Sequence, residues 1–246
     1  FNDVDLEKIT PSVDSLFFRG KLNGFASVQQ EKGQFKPESN ITIDALKINE
    51  YPIGDFIFNV RGNESFNQFI LNSYIKNKAE DRFSLEGKLD YKNKISELDL
   101  EARFMAFDLA PFGPLLSSIV SDVRGNTTGR ATIAGSLSNP EINGRLYLNE
   151  SGLKIPYLNT DYNFEPNAIV DVTERQFLFR NIKITDTKFN TNGILRGSVR
   201  HEVFEDWEID LEVRSDNILA LDTKDGEDVY YYGTAFLNGF ATVKGP

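Results

Sequence analysis

Seven residues near the end of the chain, Leu237-Asn238-Gly239-Phe240-Ala241-Thr242-Val243, have already occurred near its start as Leu22-Asn23-Gly24-Phe25-Ala26-Ser27-Val28. A looser copy, Thr127-Thr128-Gly129-Arg130-Ala131-Thr132-Ile133, lies between them. The central glycines are 129 − 24 = 105 and 239 − 129 = 110 residues apart, which places the chain among repeat architectures. Other landmarks return in the same order. Leu98-Asp99-Leu100-Glu101-Ala102-Arg103 reappears as Ile209-Asp210-Leu211-Glu212-Val213-Arg214, an offset of 209 − 98 = 111. Phe83-Ser84-Leu85-Glu86-Gly87 reappears as Phe189-Asn190-Thr191-Asn192-Gly193 (offset 106), Gln68-Phe69 as Gln176-Phe177 (108) and Leu109-Ala110 as Leu219-Ala220 (110). The expected organisation is a first repeat over 1–123, a second over 124–233, and the opening strand of a third over 234–246, all within a longer protein.

Within each repeat the dominant pattern has a period of two. In Phe83 to Tyr91 every odd position is apolar or glycine and every even one polar, and Trp207 to Arg214 alternates in the same way. Successive side chains of a strand point to opposite faces, so such segments are half-buried β-strands with one apolar and one charged face. Further strands are expected at Ile41–Ile48, Phe56–Val60, Phe69–Ile75, Leu98–Phe107, Gly144–Leu148, Ala168–Thr173, Phe177–Ile184 and Gly193–Val203. Turn residues separate them, at Arg61-Gly62-Asn63, Ser138-Asn139-Pro140, Glu165-Pro166-Asn167 and Lys224-Asp225-Gly226. Short runs with hairpin-length gaps predict antiparallel β. One stretch, Pro114 to Val123, has apolar residues at helical spacing (Leu115, Leu116, Ile119, Val120 and Val123) between Pro111, Pro114 and Gly125, and predicts a short helix packed on the sheet.

The recurring strand carries a face code: Leu22, Gly24, Ala26 and Val28 point one way, as do Thr127, Gly129, Ala131 and Ile133, and Leu237, Gly239, Ala241 and Val243. A slip of one residue would exchange the faces, so an unchanged code implies a continuous sheet with its apolar side kept on one side.

Composition narrows the function. With 40% hydrophobic residues over 246 positions the chain can bury a core, and its formal charge of −10 disfavours nucleic acid and bare anionic membrane as partners. No cysteine is present, which removes disulfides, thiol catalysis and thiolate metal sites. No apolar run approaches the ~18 residues of a membrane span. His201, the only histidine, has no Ser or Cys partner suggested by spacing and cannot make a histidine-rich metal site. Asp222-Thr223-Lys224-Asp225-Gly226-Glu227-Asp228 lacks calcium-loop spacing and predicts a tight Asp-Gly turn. Paired acids such as Asp99 and Glu101, or Glu208 and Asp210, sit on polar strand faces. The glycine pairs Gly20/Gly24 and Gly125/Gly129 open strands, not phosphate-binding helices. No enzyme, no metal and no cofactor is expected.

From Pro140 to Pro246 the sequence resembles the C-terminal region of the TamB (translocation and assembly module) family of the AsmA-like superfamily. The resemblance rests on Pro140-Glu141-Ile142-Asn143-Gly144, Leu146-Tyr147-Leu148, Ile155-Pro156-Tyr157-Leu158-Asn159-Thr160 and Asp186-Thr187 leading to Gly193. It continues in Leu219-Ala220-Leu221-Asp222-Thr223, Tyr231-Tyr232-Gly233-Thr234-Ala235-Phe236, Gly239 and Gly245-Pro246. The first half is similar only in the looser AsmA-like style, at Asp108-Leu109-Ala110-Pro111-Phe112 and Gly125 to Gly129. The resemblance implies a periplasmic protein tethered to the inner membrane by an N-terminal helix outside this sequence. Its repeats would form a long folded-over sheet with an apolar groove, a β-taco. Phospholipid movement between membranes and an outer-membrane barrel partner of the BamA superfamily, TamA-like, are implied too; the family supplies no catalytic residues.

The residues themselves lead to a related but less specific expectation. A sheet with one apolar face must cover it with a second sheet, with helices or with an apolar ligand. With one short helix candidate, helices cannot do so, which leaves a closed sandwich or an open trough holding acyl chains; with what the resemblance implies, the expected fold is all-β, an elongated, folded-over antiparallel sheet of ~107-residue repeats with one short helix, whose apolar groove holds phospholipid acyl chains in a segment bridging inner and outer membranes. The residues that would line it are Leu22, Ala26, Val28, Phe83, Leu85, Leu89, Leu98, Leu100, Ala102, Phe104, Ile133, Trp207, Ile209, Leu211, Val213, Leu237, Ala241 and Val243. The alternative is a non-enzymatic assembly or interaction module: a chaperone for outer-membrane proteins offering its sheet edge, or a closed tandem β-sandwich.

Overall fold

The structure, a computed structural model, describes residues 1–10, 16–31, 34–63, 67–92, 95–116, 119–202, 205–225 and 232–245. Among these residues the fold is all-β: fifteen strands joined in one antiparallel sheet, with helical residues only in short 3-10 segments. The strands are β1 (Val4–Asp5), β2 (Phe18–Glu31), β3 (Gln34–Ile48), β4 (Tyr51–Gly62), β5 (Gln68–Asn77), β6 (Glu80–Lys92) and β7 (Ile95–Asp108). There follow β8 (Ser121–Ser136), β9 (Asn139–Ile155), β10 (Thr160–Phe164), β11 (Ala168–Thr173), β12 (Gln176–Asp186), β13 (Asn192–Glu202), β14 (Glu205–Thr223) and β15 (Gly233–Gly245). Each strand pairs with its successor, except that β10 and β11 both pair with β9 and β12. The alternating segments are strands as expected, and many run longer than the alternation alone marked.

The expected helix over 114–123 is not formed. Ala110–Leu116 is a 3-10 segment containing Pro114, and Ser121 already begins β8; Ser117 and Ser118 lie outside the described residues. Proline inside a helix removes a backbone donor and clashes with the carbonyl four residues back, so two prolines three residues apart disfavour a regular α-helix. The helical spacing was shared between residues of different elements: Val123 is a strand residue. Gly125, which resembled a helix stop, lies within β8 at φ +93, where an added Cβ would stand 2.5 Å from Ser151 Cα of β9. The Asp-Gly turn is untested because Gly226 to Tyr231 lie outside the described residues.

Two compact units divide the chain: unit 1 comprises Phe1–Phe107 with Gly129–Gly144, and unit 2 comprises Asp108–Thr128 with Arg145–Pro246. The repeat period and these units are thus different divisions. The tip of the β8–β9 hairpin counts with unit 1 and its base with unit 2.

The register of each unit can be followed rung by rung. In unit 1 one rung runs Ala26, Ser39, Val60, Leu71, Gly87, Leu100 across β2 to β7. In unit 2 a rung runs Val170, Phe179, Gly197, Leu211, Val243. Val60 and Val170, Leu71 and Phe179, Gly87 and Gly197, Leu100 and Leu211 are separated by 110, 108, 110 and 111 residues. At both glycines an added Cβ would lie 2.1 Å from a carbonyl oxygen of the next strand, that of Asp99 or of Asp210. This corrects one landmark: the counterpart of Gly87 is Gly197, not Gly193, because Phe189 belongs to the turn preceding β13 and the loop there is longer.

Candidate apolar binding face

Directly paired residues of antiparallel strands share a face. Three rungs of unit 1 can be read in full. The first is Leu22, Ile43, Phe56, Ile75, Phe83, Phe104; the second is Gly24, Ile41, Phe58, Ser73, Leu85, Ala102; the third is the Ala26 to Leu100 rung above. None of these positions carries a charge. A shorter rung, Gly62, Phe69, Leu89, Leu98, extends the same face, and Val28 pairs with Pro37 beyond it. The intervening rungs are largely polar: Phe25, Asn40, Asn59, Asn72, Glu86, Glu101 is one, and Arg61, Ile70, Lys88, Asp99 another. On that side Arg103 donates to Glu101 at 2.7 Å, and this bond holds the Glu101 carboxyl below its ordinary pKa.

Six strands about 4.8 Å apart and three rungs about 6.8 Å apart give the charge-free area of unit 1 a footprint of roughly 29 by 20 Å. Three phenylalanines gather at the β6–β7 corner, where Phe83 lies 5.2 Å from Phe104 and 6.0 Å from Phe107, and Phe104 lies 5.8 Å from Phe107. Phe56, Phe58, Val60, Leu71, Phe83, Leu85, Leu89, Leu98 and Phe104 are all only half-buried. Leu22, Phe69, Ile75, Leu100 and Ala102 are buried. Strand alternation exposed the role of β6 and β7 in the sequence, but not that of Phe56, Phe58, Phe69 and Ile75. Their strands were recognised without a face, because apolar Ile57 and Ile70 interrupt the alternation.

The groove candidates of unit 2 have a different environment. Leu211 with Val243, and Val213 with Ala241, are rung partners. Leu211, Val213 and Leu237 pack against a buried cluster of Leu148, Tyr162, Ala168, Val170, Ile182, Ile184, Leu195 and Ile218. Ile209 is half-buried, as is Ile133 on the β8 part of unit 1. Trp207 is exposed and stacks on Phe177 at 6.3 Å, with buried His201 5.2 Å from it. His201 is therefore an aromatic-packing residue on the apolar face. Ala26, Val28, Ala241 and Val243 are exposed, Val28 at 69% and Val243 at 48%.

A polar network missed in the sequence closes one end of unit 2. The Tyr162 hydroxyl donates to the Leu219 carbonyl at 2.7 Å, joining β10 to β14 although β12 and β13 lie between them in the sheet. Leu219 N–H donates to Thr191 Oγ1 at 2.8 Å, and Thr191 Oγ1 donates to Asp186. Asp186, fully buried, also accepts from the backbone N–H of Lys188 (3.1 Å), Phe189 (2.6 Å) and Thr191 (2.6 Å). Burial raises its pKa, but the Thr191 hydroxyl and these three amides outweigh it and hold the carboxyl below the ordinary value. Asn159 donates to the Asp222 carbonyl, and Lys188 and Thr234 to the Asp222 carboxylate. The segments around Asn159, Asp186 and Asp222, which carried the family resemblance, are thus architectural in this unit. The available signal was the cluster Asp186-Thr187 to Thr191 between two strands.

Among the described residues no three His, Asp or Glu side chains are grouped to hold a metal, and no helix is long and apolar enough to cross a membrane. No protein-family model, curated protein or solved structure matches the chain.

Proposed function

We propose that the apolar face of unit 1 binds acyl chains, with phospholipid as the ligand. The observation that carries this reading is the set of three six-strand rungs without a charged residue, in which Phe56, Phe58, Phe83, Phe104, Leu71 and Leu85 remain half-open. A face of this width can accommodate the ~15 Å hydrocarbon thickness of one leaflet, and exposed apolar patches above ~300–600 Å² mark binding surfaces. The polar reverse side keeps such a sheet in water. Together with the TamB-like resemblance of residues 140–246, this supports a segment of a periplasmic bridge that carries lipid between inner and outer membranes. In that reading the full-length protein is anchored by an N-terminal helix and meets a BamA-superfamily barrel.

Adjacent residues on opposite faces provide the test. A photo-crosslinking residue at Leu85, between Ser73 and Ala102 on the apolar face, is expected to capture phospholipid in cells, and one at Glu86 to capture none. Mass spectrometry of the adducts reads the result. Protein adducts alone at Leu85, or equal lipid capture at both sites, would refute the proposal.

A further inference from the structure

The apolar face of unit 1 changes character along its strands. Past the rung of Leu22 and Ile43, β3 continues through Leu46 and Ile48, both buried, and Leu6, which follows the pairing of Asp5 with Lys21, is buried too. The other end of the face is open. Val28 is exposed opposite Pro37, and Tyr91, 41% exposed, stands opposite Ser96 one rung past Leu89 and Leu98.

Unit 2, taken by itself, has the same polarity. Ile182 and Leu195 are rung partners and buried, whereas Trp207, two residues beyond Ile209 at the far end of that face, is exposed. His201 and Trp207 are the counterparts of Tyr91 and Ser96, since 201 − 91 = 110 and 207 − 96 = 111, the offsets that relate Gly87 to Gly197 and Leu100 to Leu211. At this one level both units place rings bearing a polar atom on an otherwise apolar face: a tyrosine in one, and the chain's single histidine and single tryptophan in the other. Space alone does not call for them, because phenylalanine would fill it without a polar atom to satisfy. A ring with an apolar body and a polar tip suits a boundary between hydrocarbon and water.

On the reading that unit 1 binds acyl chains, we infer that the Tyr91 rung marks the polar end of the bound phospholipid. The chains lie along the strands, with their methyl ends toward Phe83 and Phe104 and the ester and headgroup region at Tyr91 and beyond. From Phe83 to Tyr91 is 91 − 83 = 8 residues, about 27 Å of strand. That length holds the ~15 Å hydrocarbon thickness of one leaflet and leaves room for the ester groups. The charged headgroup stays in water and keeps its hydration. A lipid laid across the strands would instead set its headgroup against apolar residues of β2 or β7, such as Ala26 or Leu100.

Two phosphatidylethanolamine probes, one with a diazirine on the headgroup and one with it at the end of an acyl chain, test the direction on the unmodified 246-residue chain. Peptide mass spectrometry is expected to place headgroup adducts on Val28, Tyr91 and Ser96 and chain-end adducts on Phe56, Phe83 and Phe104, each site preferring its own probe roughly threefold or more, as their separation along the strands requires. A second readout combines Trp207→Phe with Tyr91→Trp, so that the only tryptophan stands on the rung in question. A doxyl label near the ester should quench its fluorescence more strongly than one at the chain end. Adducts on these residues with the two probes exchanged or evenly mixed, or equal quenching by the two labels, would overturn the inference and leave acyl binding standing. Absence of adducts on the face with either probe would overturn both.

Discussion

In unit 1, β4 runs unbroken from Tyr51 to Gly62, and the next hairpin turns on two residues, Lys78 and Ala79. In unit 2 the corresponding place between β9 and β12 is taken by two short strands, β10 and β11, with Glu165-Pro166-Asn167 between them. The following connection, residues 187–191, is longer and tied down by Asp186. A proline has no N–H to offer the ladder, so the break at Pro166 ends one pairing segment and begins another. Tyr162 on β10 reaches Leu219 on β14, and a buried cluster forms beneath. Two stretches with matching rungs therefore use their apolar faces differently: unit 2 covers much of its own, whereas unit 1 leaves rows of half-buried phenylalanine and leucine. Interruption of one strand is what lets a one-layer sheet make a core from itself.

The sharpest way to break this comparison is to delete matched apolar groups. Ile182→Ala removes a side chain only 1% exposed in the unit 2 cluster and should cost about 4 kcal/mol. Leu85→Ala on the half-open face of unit 1 should cost about 1 kcal/mol, because less of the leucine is removed from water in the native state. Urea titrations of both variants read the difference, and equal losses would show that the two faces are equally covered.

A slightly smaller effect is expected at the closing network. Asp186→Ala leaves three backbone donors and the Thr191 hydroxyl without their acceptor and should cost about 3 kcal/mol. Because the folded-state pKa of Asp186 is held below the unfolded one, its contribution is complete above the ordinary aspartate value of about 3.9 and is lost as pH falls through the lower folded value. The stability of the native protein should therefore decline more steeply than that of Asp186→Asn as the pH is taken from 5 to 2. Parallel curves would remove Asp186 from the account of how unit 2 closes.

Least affected should be the polar side of unit 1. Ile70, 53% exposed and paired with Arg61 and Lys88, should tolerate Ile70→Thr within about 0.5 kcal/mol. A large loss in thermal melts would mean that this side of the sheet is covered too.

Alternation in Phe83 to Tyr91 and Trp207 to Arg214 was sufficient to determine strands and their faces, because side-chain direction in a strand depends only on parity along the chain, and the hairpin-length gaps between such runs pointed to the antiparallel class. Periodicity misled at Pro114 to Val123, where the apolar residues at helical spacing are divided among a 3-10 segment, the turn after it and a strand. Tertiary structure alone decided which apolar faces are covered. The pairing of Gly87 with Leu100 and of Gly197 with Leu211 required the actual loop lengths, which no motif contains. The Tyr162 to Leu219 bond joins residues 57 apart, and Asp186 became an anchor only when that closure excluded water from it. Burial depends on what lies across the sheet, a long-range property, while parity along a strand is written residue by residue.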